Sequence, residues 1–80
     1  MSKDSRQMLQ VELRNLKWEY NFIKNHESEK VIKMFVLFNL ASKLEYKAVD
    51  RGEIELVYKV KDLQTKIIDF ITRSLRRKQE

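Results

Sequence analysis

The first third of the chain carries two apolar stripes at helical spacing, on opposite sides of the same helix. Leu9, Leu13, Leu16, Tyr20 and Ile23 step by 4, 3, 4 and 3. Met8, Val11, Asn15, Trp18 and Phe22 step by 3, 4, 3 and 4. At about 3.6 residues per turn each set falls on one side of a helix. The helix of a small monomer shows one such stripe and a polar back. The second set holds the only Trp, and it predicts a surface made for another protein chain.

The same periodicity divides the chain into three helices, at about residues 5–25, 29–49 and 53–77. Ser2, Asp4 and Ser5 are candidate caps for the first, because a short oxygen side chain accepts from the free amides of a first turn. Asn25-His26-Glu27-Ser28 breaks it. Ser28 then caps the second helix, with Glu29 well placed in its first turn. Asp50-Arg51-Gly52 ends that helix, and Gly52 is the expected left-handed stop. Leu16-Trp18-Tyr20-Phe22 and Ile54-Leu56-Tyr58-Val60 also alternate apolar and polar, as strands do. Helix is preferred: the 3/4 spacing covers longer windows, no hairpin turn lies between the two runs, and the remainder is rich in residues that lose little entropy in a helix.

The second segment is apolar nearly all round in its first half. Met34, Leu37, Ala41, Leu44 and Ala48 form one stripe, Val31, Phe35 and Phe38 another, and Ile32, Val36 and Leu40 a third. Such a helix needs contacts on several sides. In the third segment Leu56, Val57, Val60, Leu63, Ile67, Ile68, Phe70, Ile71 and Leu75 occupy one face and charges the other. The expected fold is all-α, with three long helices in an antiparallel bundle that spans residues 1–80 as one domain. Stripe one of the first helix closes the core. The Met8/Val11/Asn15/Trp18/Phe22 stripe, with part of the second helix, is left over, and surplus apolar surface calls for a partner. A homodimer is the simplest partner, since symmetric pairing needs no second gene product. Asn15 sits mid-stripe, where one Asn in an apolar seam fixes register through Asn–Asn hydrogen bonding. The plain alternative is an exposed Asn beside incidentally exposed neighbours.

Composition narrows the choices. At 80 residues a single core rarely supplies more than about 3–5 kcal/mol without a staple. The chain has no Cys, which removes disulfides and thiolate metal sites and leaves well-packed helices or self-association. One Gly and no Pro argue against a turn-rich β protein. The polar start, Ser2 to Gln7, does not resemble a signal peptide, and the run Val31–Ala41, interrupted by Lys33 and Asn39, is too short to span a bilayer. The expected setting is cytoplasmic, with no membrane contact.

The net charge of +5 is unevenly spread. Residues Arg73 to Glu80 hold four bases and one acid, +3, so the other 72 residues carry +2. Lys59, Lys66, Arg73 and Arg77 line up on the third helix, a stripe that could follow a phosphate backbone. Glu55, Asp62 and Asp69 each precede one of the first three by four residues, which is the order that supports a helix by internal ion pairs. Arg76, Arg77 and Lys78 have no such partner, although cations at a helix C-terminus also offset its dipole. The basic end, Arg73, Arg76, Arg77 and Lys78, is therefore the candidate contact for an acidic partner or nucleic acid. Neither a compact helix-turn-helix nor an aromatic strand platform is present to support the latter.

For chemistry, nothing assembles. His26, the only His, is expected in the first connection as an exposed loop residue, and one His with loop carboxylates is a weak metal site. Neither a glycine-rich phosphate loop nor a nucleophile with its base is present. Asn39 and Ser42 are polar positions expected to be satisfied locally or at a helix crossing, and only Lys33 and Glu45 depart from the outer charged faces. The sequence thus predicts a non-enzymatic interaction module that self-associates and binds another protein, with no cofactor and no small-molecule substrate. The alternative is a nucleic-acid-binding protein that uses its basic C-terminal end.

Overall fold

A computed structural model describes the backbone of residues 2–26 and 29–79, and the side chains of residues 6–26 and 29–77. Three helices follow one another: α1 Ser2–His26, α2 Lys30–Asp50 and α3 Ile54–Gln79. The described residues contain no strand, and the chain forms an elongated bundle with extents of 50 × 19 × 15 Å. α2 packs most extensively against α3, less against α1, and α1 touches α3 least.

The core forms where the 3/4 spacing places it. Leu9, Leu13 and Ile23 of α1, the Met34/Leu37/Ala41/Leu44/Ala48 stripe of α2, and Leu56, Val60, Leu63, Ile67 and Ile71 of α3 are all buried. Leu16, Tyr20, Val31, Phe38, Val57 and Phe70 pack half-buried around them. Ala41 and Ala48 are fully buried, and their small side chains suit a middle helix with a neighbour on each side. Ile68 and Leu75 differ from expectation. They count toward the apolar face of α3 but lie largely open, because that face is wider than α2 can cover.

The helix ends show which local signals decide. α2 stops in a paired-hydrogen-bond cap: the Gly52 N–H donates to the Val49 carbonyl at 3.0 Å and the Glu53 N–H to the Ala48 carbonyl at 2.9 Å. Gly52 makes this possible with φ 69°, the left-handed conformation that costs a Cβ-bearing residue about 1–2 kcal/mol. α1 instead begins at Ser2, so Asp4 and Ser5 lie inside the helix rather than capping it. It also runs on through Asn25 and His26, which the sequence placed in the connection. His26 stacks on Phe22 one turn earlier, with ring centroids 5.1 Å apart, and that contact extends the helix. Ser28, the expected cap of α2, lies outside the described residues. Glu29 occupies the capping position instead, with φ 53° and ψ 43° and no side-chain cap bond, so no acid stands in the first turn.

Candidate interaction surface

The second stripe of α1 lies in the open. Met8 is 64% exposed and Trp18 61%, Val11 and Phe22 are less so, and Asn15 is exposed between them. The five positions fall within about 80° around the helix, well away from the sector that carries Leu9, Leu13 and Ile23. The Trp18 ring stacks on Phe22 at 5.1 Å between centroids and 18° between planes, and Phe22 in turn stacks on His26. Three rings thus form a continuous aromatic ridge along the C-terminal half of α1.

α2 extends this surface. Ile32, Val36 and Leu40 share one side of that helix and all are exposed. Val36 and Leu40 line a shallow depression together with Glu19, Ile23, Lys33 and Leu37, which sets the α2 stripe beside α1, with Glu19 between it and the Met8/Trp18 stripe. A bond from Lys47 Nζ to Glu12 Oε1, 3.4 Å, ties the helices at its edge. The two apolar stripes therefore flank a charged seam, with Glu12 and Glu19 on its α1 side and Lys33 and Lys47 on its α2 side.

The polar positions form a separate network between α2 and α3. The Gln64 side-chain amide is buried and donates to Ser42 Oγ at 3.3 Å and Glu45 Oε1 at 3.0 Å. Lys61 Nζ reaches the other Glu45 oxygen at 2.8 Å. The Lys61 bond first, then that from Gln64, holds the Glu45 carboxyl below the ordinary value for a glutamate, and both outweigh the opposing effect of partial burial. Ser42 is thus satisfied at a helix crossing, whereas Asn39 is exposed. Nothing in the sequence marks Gln64, whose two partners stand on another helix. No described side chain is left with a buried polar atom unpaired, so this network is closed and aims no group outward.

At the basic end, Arg73 pairs with Asp69 at 3.2 Å, while Arg76 and Arg77 are exposed and have no carboxylate partner among the described residues. The Lys78 side chain lies outside the described residues. Of the three expected pairs on α3, Asp62–Lys66 forms at 3.5 Å and Asp69–Arg73 forms, but Glu55–Lys59 does not. Glu55 instead faces Arg6 of α1 at 3.9 Å, beside the closer Arg6–Glu53 contact at 3.3 Å. The i, i+4 rule sees one helix at a time and misses a partner supplied by a neighbour.

Among the described residues no group of three or more His, Cys, Asp or Glu could hold a metal ion, and no helix is long and apolar enough to cross a membrane. No family model, curated protein or solved structure matches the chain.

Proposed function

We propose that this chain is a small non-enzymatic helical module that pairs with a second copy through the α1/α2 face and, so assembled, binds another protein as a regulator, adaptor or inhibitor. The area of that face carries the reading. Met8, Val11, Trp18, Phe22, Ile32, Val36 and Leu40 together expose on the order of 600–700 Å², given about 150–250 Å² for a large side chain. The charged seam divides this area into two stripes, each about the 300–600 Å² of the largest apolar patch on an ordinary monomer, and a partner that covers both must span the seam. Two such faces brought together would remove more than the ~1,000 Å² that separates a biological interface from a chance contact.

The stripe on α1 is also nearly its own mirror image. Met8, Val11, Trp18 and Phe22 stand at −7, −4, +3 and +7 from Asn15. Such spacing suits an antiparallel isologous contact, in which residue i meets j and j meets i across a two-fold axis. Antiparallel pairing about Asn15 sets Met8 against the partner's Phe22 and Val11 near the partner's Trp18, slim or flexible side chains under broad ones. It also places the two Asn15 amides side by side at the axis.

The absence of Cys from the chain makes the test clean. Light scattering after size-exclusion chromatography should give twice the 9.8 kDa of one chain. Under mild oxidation Asn15→Cys should form a covalent dimer. Met8→Cys should not, since its two copies would stand about 21 Å apart at 1.5 Å per residue, against the roughly 7 Å limit for a disulfide. A concentration-independent single-chain mass would overturn the pairing. Crosslinking of Met8→Cys as readily as Asn15→Cys would overturn the antiparallel register.

A further inference from the structure

We propose that the groove between α1 and α3 is a binding site for the phosphate backbone of a nucleic acid, distinct from both the apolar face and the C-terminal end. The charges of α1 are segregated. From Arg6 to His26 its bases, Arg6, Arg14, Lys17 and Lys24, fall within about 80° around the helix, and its acids, Glu12 and Glu19, lie roughly 150° away. The basic side is the wall facing α3. There Arg14 and Lys17 meet Lys59 in a depression floored by Leu13 and Leu56, with no carboxylate in the lining. Lys59 is free for this because Glu55, one turn before it, is turned toward Arg6. Lys17 continues into the next depression, where Tyr20, Asn21 and Lys66 also line the groove. The acid in that lining, Asp62, is held by Lys66 at 3.5 Å, and further along Asp69 is held by Arg73. Lys24 lies over the Tyr20 ring at 5.8 Å.

Arg14, Lys17 and Lys59 line this groove, and Lys24 stands further along it over Tyr20, all as exposed cations without a carboxylate partner among the described residues. From Arg14 to Lys24 the row runs about 15 Å at 1.5 Å per residue. That length matches about four phosphates of a stacked strand at 3.4 Å each. α1 and α3 touch least of the three helix pairs, which leaves the groove between them open. A nucleic acid fits better than an acidic protein because the apolar side chains of the groove, Leu13, Leu56 and Leu63, are buried. The apolar area they leave open is small in each depression, too little to hold a protein segment by burial. Backbone phosphates need only the charges. The site does not depend on self-pairing, since the basic wall of α1 lies about 130° round the helix from the Met8/Trp18 stripe.

The experiment is fluorescence anisotropy with a 20-nucleotide single strand and a 20-base-pair duplex, both labelled, from 50 to 200 mM salt. Four phosphates neutralised on a single strand give a slope of about −2.8 in log K against log salt, hence about 50-fold weaker binding across that range. The triple variant Arg14→Gln/Lys17→Gln/Lys59→Gln should lower the magnitude of the slope to about 0.7 and weaken binding on either nucleic acid it recognises. All three side chains are exposed, so its helical circular dichroism should match the parent's. Arg76→Gln/Lys78→Gln should bind as the parent does. The proposal is overturned if neither nucleic acid binds at 50 mM salt, or if the triple variant binds as well as the parent. It is equally overturned if the end variant accounts for the loss, or if phosphatidylserine vesicles or polyglutamate are bound in preference. The oligomeric state measured in parallel is unaffected by any of these results.

Discussion

Replacing Trp18 with Ala tests the self-pairing face at its centre. Trp18 stands three residues from Asn15, about 4.5 Å along the helix from the proposed axis, and occurs twice in the dimer. Its 61% exposure leaves on the order of 150 Å² of a side chain that can present up to about 250 Å². At about 25 cal/mol per Å² the upper limit is near 4 kcal/mol per copy. Association also costs side-chain freedom, and alanine retains part of the contact, so about 2 kcal/mol per copy is the better figure. Two copies then weaken dimerisation by about 4 kcal/mol, close to 10³-fold in Kd. Sedimentation across a range of concentrations reads this directly, and the protein supplies its own probe because Trp18 is the only Trp. Parent emission should shift to the red on dilution, over the same range in which the mass halves. Trp18 lies outside the core, so the variant should keep its helicity and lose only the concentration dependence of its melting. Unchanged mass and melting in Trp18→Ala, or parent emission that stays constant while the mass halves, would refute the reasoning.

Other parts of the bundle can be tested by stability. The Glu45 carboxyl is held below its ordinary value by Lys61 and Gln64, so its contribution is fully present above the unfolded-state value and is lost as pH falls through the lower folded one. Glu45→Gln should therefore unfold at lower urea than the parent at pH 7, with the gap closing at pH 3; a constant gap would contradict the assignment. Gly52→Ala has room for its methyl but must adopt φ 69°, so it should cost about 1 kcal/mol, or about 4–8 °C in Tm for a domain of this size. Gly52→Asn should cost less, since Asn tolerates the left-handed region, and equal losses for the two variants would count against a backbone cause.

Where a single helix carries the information, the sequence is easily read. The buried set of α2, the open stripe of α1 and the stop at Gly52 all follow from spacing or from one residue's backbone freedom. What escapes depends on neighbours distant in sequence. Lys59 reads as the partner of Glu55 until Arg6, on another helix, takes that carboxylate. Gln64 reads as a surface amide until α2 brings Ser42 and Glu45 against it. The basic wall of α1 passes for an ordinary solvated side, because only the packing of α3 turns its residues into one flank of a groove. His26 is misplaced for a smaller reason: the loop composition of its surroundings hides a stacking partner four residues back.

The tight stop at Gly52 has a bearing on the order in which the bundle comes apart. α2 and α3 are joined by only three residues, 51–53, whose amides bond back onto the last turn of α2, so closing this hairpin costs little chain entropy. α2 and α3 also share the largest contact in the bundle, while α1 touches α3 least. α1 is thus the element that can detach while the other two stay paired, and amide hydrogen exchange should run fastest along α1 and slowest in the middle of α2 and α3. A helix that leaves first can also be captured first, and the proposed self-pairing would let the partner's α1 seal the same helix in place.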